Sequence, residues 1–178
     1  MTEPRECIKD NFLVDYGSFA IIDIDGLSSM ATALPPEQLY AQTSQDEPWF
    51  AATANMAVAR SRAGYHHIVA ITLELWEREP PVECEIKAEI HTTEMHSSSG
   101  RVRACNSGGE AGPIIDLGKP NALWSVRGYR IAKSNPGLDS EFFPDEFDDD
   151  DENMGGYPEG LEEFRFRFWP KDTDSVDD

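Results

Sequence analysis

Seven carboxylates fall within the eight positions from Asp145 to Glu152: Asp145, Glu146, Asp148, Asp149, Asp150, Asp151 and Glu152. Phe147 sits among them and Tyr157 follows shortly after. Carboxylates so placed can do one of two kinds of chemistry. Their oxygens are hard ligands for a divalent cation. They can also occupy the positions that phosphates would fill on a basic partner, with Phe142, Phe143, Phe147 and Tyr157 adding apolar contact. On the second reading these acids, Phe147 and Tyr157 form a binding surface for a basic protein such as a nuclease or toxin. The plain alternative is a solvated loop whose aromatic residues pin it to its own fold.

The cation reading has a specific form. From Asp151 the stretch DENMGGYPEGLE imitates a calcium loop, with Asp151 first, Asn153 third, Gly155 fifth, Gly156 sixth and Glu162 twelfth. Pro158 stands eighth, where paired loops need an N–H. FRFRFW alternates afterwards as a strand does, whereas a calcium loop needs a helix there. No metal is assigned.

Other candidates are weaker. His66, His67, His91 and His96 lack the HxH, HxxxH or CxxC company of a metal site. His91 and His96 fall on opposite faces of a strand, and Glu94 approaches both only if HTTEMH turns. Cys7, Cys84 and Cys105 are an odd set without CxxC spacing, which suits a reducing compartment better than a disulfide framework. Cys84 shares a face with Ile86, and Cys105 lies opposite Val102 and Ala104. SGGEAGP leads to a strand rather than a helix and reads as a turn. No GxSxG, phosphate-binding loop or dinucleotide fingerprint occurs. The residues assemble no nucleophile, base or cofactor site, so the reading leans away from an enzyme and assigns no cofactor.

The formal net charge is -19. Asp139 to Asp178 contains 16 acids and 3 bases, a net of -13, which leaves -6 for the rest. Such a balance disfavours direct nucleic-acid binding and anionic membranes. The opening residues carry no signal-peptide core, and no apolar run approaches a membrane span. A cytoplasmic protein is expected.

The elements that position these residues follow period two. Phe12–Asp25 reads as one long strand bent at Gly17. Met56–Ser61, Tyr65–Glu79, Val82–Thr93, Arg101–Asn106, a short strand at IIDLG, Leu123–Lys133 and Glu163–Pro170 follow, about eight strands in all. One helical turn is expected after Pro36. Two long loops, Asp25–Asn55 and Ser134–Leu161, interrupt them. The pattern predicts an all-β fold, a single antiparallel β-sandwich over residues 1–171, with its acidic loop at about 137–161 and an acidic tail at 172–178. Val69, Ile71, Leu73, Leu75, Ile86, Phe164, Phe166 and Phe168 are expected inside. Arg165 and Arg167, on the opposite face with Trp169, are expected to pair with the acidic loop or with acids of a neighbouring strand.

The succession VDYGSFAIID, MAVARSRAGYHHIVAITLELWEREPPVE, SSSGRVRACN, LWSVRGYRIA and FRFRFWP resembles a group of small bacterial β-sandwich proteins. That group is similar to the competence nuclease inhibitor, ComJ or Nin. The resemblance implies the sandwich and an inhibitor or immunity-type role, and it carries no catalytic motif. The leading expectation is therefore a cytoplasmic protein-binding module that covers a basic surface. An enzyme or small-ligand carrier using a cleft of the sandwich, and a structural or assembly protein packing through sheet edges, are the alternatives.

Overall fold

Strict alternation puts Phe164, Phe166 and Phe168 on one face of a strand and Arg165, Arg167 and Trp169 on the other. The computed structural model describes residues 3–26, 34–63, 66–83, 87–133 and 157–171 and shows what each face meets. Ten strands are described: β1 (Glu6–Val14), β2 (Ser18–Asp23), β3 (Phe50–Thr53), β4 (Met56–Arg60), β5 (His67–Leu75), β6 (Glu89–Ser97), β7 (Arg101–Asn106), β8 (Ala111–Asp116), β9 (Ala122–Ala132) and β10 (Glu159–Pro170). A short helix, α1 (Pro36–Ala41), lies between β2 and β3, with Pro at its first turn as its fixed φ favours. The fold is all-β.

Two five-stranded sheets form, ordered β1-β5-β10-β9-β6 and β3-β4-β2-β7-β8. Their inner faces share one core. Phe164 and Phe166 of the first sheet meet Phe19 of the second edge-on at 5.0 and 6.0 Å, and Phe50 lies 5.1 Å from Phe166. Val69, Ile71, Leu73, Leu75 and Phe168 join this core as expected. Ile86 lies outside the described residues.

Four expectations need correction. The stretch Phe12–Asp25 is two strands, because left-handed Tyr16 (φ 50°) and Gly17 (φ 68°) reverse the chain. β1 then pairs with β5, while β2 pairs with β4 and β7 in the other sheet. The long excursion after Asp25 contains β3, which hydrogen-bonds to β4. The pairing is not wholly antiparallel, since β10 runs parallel to β5 and antiparallel to β9. Lastly, the strand expected over Val82–Thr93 starts at Glu89 among the described residues and runs on to Ser97, and Val82 and Ile90 are exposed. The register of β6 on β9 sets Ile90 opposite Tyr129 on the outer face and turns Met95 inward opposite Trp124.

Gly128 marks where the core is tightest. A Cβ added there would stand 2.9 Å from Trp49 and 3.2 Å from both Phe50 and Phe166. None of these rings is a flexible chain end. Gly128→Ala should therefore destabilise the fold by about 1–3 kcal/mol through overpacking. Thermal melting checks this, and an unchanged midpoint would show that the rings have room to move.

Candidate partner-binding surface

Of the expected binding residues, Asp145, Glu146, Phe147, Asp148, Asp149, Asp150, Asp151 and Glu152 lie outside the described residues. Tyr157 lies within them. It enters the fold beside the start of β5, where Ile68 N–H donates to the Pro158 carbonyl at 2.8 Å. This register brings Tyr157 against His66, with ring centroids 6.0 Å apart. His66 in turn packs against Tyr16 in a T-shaped contact, with ring centroids 4.9 Å apart. Tyr16 and Tyr157 are 64% and 40% exposed, the two most exposed rings among the large hydrophobic side chains described.

The base of this cluster is fixed by polar contacts. Asp15 Oδ1 lies 2.7 Å from His66 Nδ1, and Asp15 Oδ2 accepts from the Ser107 hydroxyl at 3.0 Å. Ser18 N–H donates to the Asp15 carbonyl at 3.2 Å and closes the turn. Ser61 N–H donates to the Gly17 carbonyl at 2.9 Å and ties that turn to the strand end after β4.

Beneath lies a buried polar network. Ser61 donates to Glu162 Oε2 at 2.6 Å, and Arg62 N–H donates to Glu162 Oε1 at 2.9 Å. His67 Nε2 stands 3.3 Å from Ser61 Oγ and 3.4 Å from Glu162 Oε2. Serine, histidine and carboxylate are the residue types of a hydrolase triad, but the arrangement differs. The Ser61 proton goes to the carboxylate, so Nε2 donates to this pair and does not serve Ser61 as a base. His67 Nδ1, where a triad carboxylate would sit, has no hydrogen-bond partner among the described residues. All three side chains are buried. Burial opposes ionisation of Glu162, yet the hydrogen bonds from His67, Ser61 and Arg62 N–H outweigh it and hold the carboxyl below its usual range.

This network also bears on the calcium reading. Glu162, the residue that would close such a loop, turns inward and gives both oxygens to Ser61 and Arg62. Among the described residues, no group of three or more His, Cys, Asp or Glu side chains is placed to hold a metal ion. HTTEMH does not turn: it runs extended in β6 and keeps His91 and His96 on opposite faces. Cys7 and Cys105 are free thiols; Cys84 lies outside the described residues.

The arginines of β10 find Glu74 of β5 and Glu83 of the segment that follows it. Arg167 Nε donates to Glu74 at 2.8 Å, and its other nitrogens reach Glu83, the Pro81 carbonyl and the Tyr129 hydroxyl. Arg165 donates to Glu83 at 2.7 Å. Arg127 holds Glu79 and the Pro80 carbonyl. Together they strap the Trp76–Glu83 segment across the outer face of the first sheet.

Of this cluster, Tyr157 stood out in the sequence as an interface candidate and His66 only as a weak metal candidate. Tyr16 and His66 meet Tyr157 only through the parallel β5–β10 register. The visible signal was the YG pair at Tyr16–Gly17, which marks a tight turn bearing a large side chain.

No family model matches this chain, and no curated protein sequence does. Solved structures are similar in fold. The crystal structure of ComJ from Bacillus subtilis, inhibitor of the DNA-degrading activity of NucA, aligns over 96% of this chain and 99% of its own, with a TM-score of 0.52 and 9% identity. The product of crocagin biosynthetic gene J aligns over 93% of this chain and 97% of its own, with a TM-score of 0.51 and 11% identity. Among the described residues no helix is long and apolar enough to cross a membrane.

Proposed function

We propose that this chain is a protein-binding module, an inhibitor or immunity-type partner that covers a basic surface on another protein, of the nuclease or toxin kind. The placement of charge carries this reading. Asp139 to Asp178 holds a net of -13 with only 3 bases. Those bases already have carboxylate partners in the described fold: Arg165 with Glu83, Arg167 with Glu74 and Glu83, and Lys171 with Glu94. Adjacent carboxylates repel, so clustering them raises free energy unless counter-charge comes from elsewhere. A basic partner supplies it. The likeness in fold to ComJ, a nuclease inhibitor, supports the same direction.

Replacing Asp148, Asp149, Asp150 and Asp151 with Ser tests the reading. The melting temperature should stay the same or rise slightly at low salt, because self-repulsion is relieved. Association with a basic nuclease of the NucA kind should slow by about tenfold, an effect that shrinks as salt screens the charges. Inhibition of DNA degradation should weaken in step. Nuclease activity untouched by the wild-type chain at low salt would sink the reading. Millimolar calcium should leave the melting temperature unchanged. A rise of several degrees that the Ser variant abolishes would make the run a metal site.

A further inference from the structure

The turn from Asp15 to Ser18 contains a residue that its geometry does not favour. Both central positions are left-handed, Tyr16 at φ 50° and Gly17 at φ 68°. That is the pattern of a type I′ turn, whose first central position suits Asn, Asp or Gly. A side chain with a bulky Cβ substituent crowds the following carbonyl there. Burial does not compensate, because the Tyr16 ring is 64% exposed. The fold therefore holds a tyrosine in a disfavoured conformation and presents its ring to solvent. Such an outlier points from strain to function.

The surroundings make the ring a rigid feature. Tyr16, His66 and Tyr157 form a row, with centroid spacings of 4.9 and 6.0 Å. Asp15 stands between His66 and Ser107, with Oδ1 2.7 Å from His66 Nδ1 and Oδ2 accepting from the Ser107 hydroxyl. The buried Ser61–His67–Glu162 network underlies the row, and Ser61 N–H holds the Gly17 carbonyl. An aromatic ridge so ordered loses little conformational freedom on binding, which is what an interface anchor needs.

We infer that the ridge of Tyr16, His66 and Tyr157 anchors the partner interface, with the Tyr16 ring receiving an arginine or lysine side chain of the partner. This rests on the proposed inhibitor function. The occupant follows from charge: a chain of net -19 selects a basic surface. A tyrosine face attracts a cation within about 6 Å of its centre. The chain uses the same contact internally, with Arg60 over Tyr40 at 5.2 Å and Arg167 over Tyr129 at 5.0 Å. Asp15, at the foot of the ridge, adds carboxylate charge beside the incoming cation.

The experiment measures thermal melting and binding to purified NucA of Bacillus subtilis for the wild-type chain, Tyr16→Asn, Tyr16→Phe and the Ser replacement of Asp148–Asp151. Tyr16→Asn suits the turn, so its melting temperature should rise by about 2–4 °C. Its affinity should fall at least about tenfold, mainly through faster dissociation. Tyr16→Phe keeps the ring and should retain more of the affinity than Tyr16→Asn, and equal losses in the two variants would overturn the inference. A lower melting temperature for Tyr16→Asn would make the tyrosine a structural part of the turn and overturn the inference. So would unchanged affinity in Tyr16→Asn alongside weakened affinity in the Ser variant, an outcome that leaves the inhibitor reading standing. Absence of NucA binding by the wild-type chain would remove the inhibitor reading and the anchor with it.

Discussion

Arg167→Ala is expected to lower the unfolding free energy by about 3–5 kcal/mol, the usual result of removing one partner from a buried ion pair. Arg167 is 2% exposed. Its guanidinium bonds Glu74, Glu83, the Pro81 carbonyl and the Tyr129 hydroxyl, and it lies 5.3 Å over Trp76 and 5.0 Å over Tyr129. Burial opposes its charge, but Glu83 and Glu74 outweigh that and raise its pKa. Glu83 is depressed in turn, since its bonds to Arg167 and Arg165 overcome its desolvation. Removing the arginine leaves Glu74 buried with the Trp76 indole N–H at 2.9 Å and the more distant Arg165 at 3.8 Å. The Trp76–Glu83 strap would lose its central tie, so Trp76 emission should shift to the red. Urea titration measures the loss. Adding Glu74→Gln to the alanine variant should recover part of it, because the stranded charge is then gone. Arg167→Lys keeps the charge but loses the planar fork, so it should fall between the two. A loss below about 1 kcal/mol would mean that water replaces the guanidinium at this site.

The outer-face cluster was half legible. Alternation alone assigned Phe164, Phe166 and Phe168 to one side of β10 and Arg165, Arg167 and Trp169 to the other, because side-chain direction in a strand is local. Two sets of partners for the arginines remained open, the acidic loop or neighbouring acids. Only the β5–β10 register resolves this, by setting Arg167 opposite Glu74. The same non-local pairing explains the other gaps. Gly17 announces a bend, yet which sheet each arm joins depends on strands β4, β5 and β7. β3 escaped notice because FAAT has only four residues and three small or polar side chains. The alternation of VECEIKAEI was a misleading signal for the start of the strand, which among the described residues begins at Glu89. Ile90 alternates correctly but faces outward, since β6 is an edge strand whose face is set by β9.

The candidate surface was less legible than the fold. Acidity and aromatic interleaving marked the segment before Tyr157, and those are compositional signals that any reader of the chain can count. What adjoins Tyr157 is a matter of assembly. Tyr16 is 141 residues earlier in the chain and reaches it through His66. The hydroxyl of Ser61 and the carboxylate of Glu162, 101 positions apart, meet only when β10 inserts beside β5. Buried polar contacts of this kind leave no periodic trace, because each member is one residue on its own strand.

Glu162→Ala should be the second severe substitution, at about 3 kcal/mol or more. The side chain is 3% exposed and accepts from Ser61 and from Arg62 N–H. Its removal orphans both donors, each at about 1–3 kcal/mol, and leaves a void beneath the Tyr16 ridge. Glu162→Gln separates charge from shape. The amide keeps one acceptor oxygen but turns an NH2 group toward a donor, so part of the loss should remain. The pH dependence distinguishes these variants further. The folded carboxyl titrates below its ordinary value of 4.5, so native protein releases the proton more readily than the unfolded chain. The stabilisation is then fully present above about pH 4.5 and is lost as pH falls through the folded value. Asp23 behaves alike at the other end of the fold, where bonds from Ser97, Asp25 N–H and Ser99 overcome its burial. Wild type should therefore lose stability on acidification below about pH 4.5, and Glu162→Gln should show a shallower loss because one of the depressed groups is gone. Urea midpoints between pH 6 and 3 measure both slopes. Equal slopes would mean that Glu162 has the same proton affinity folded and unfolded, and that the network beneath the ridge does not depend on its charge.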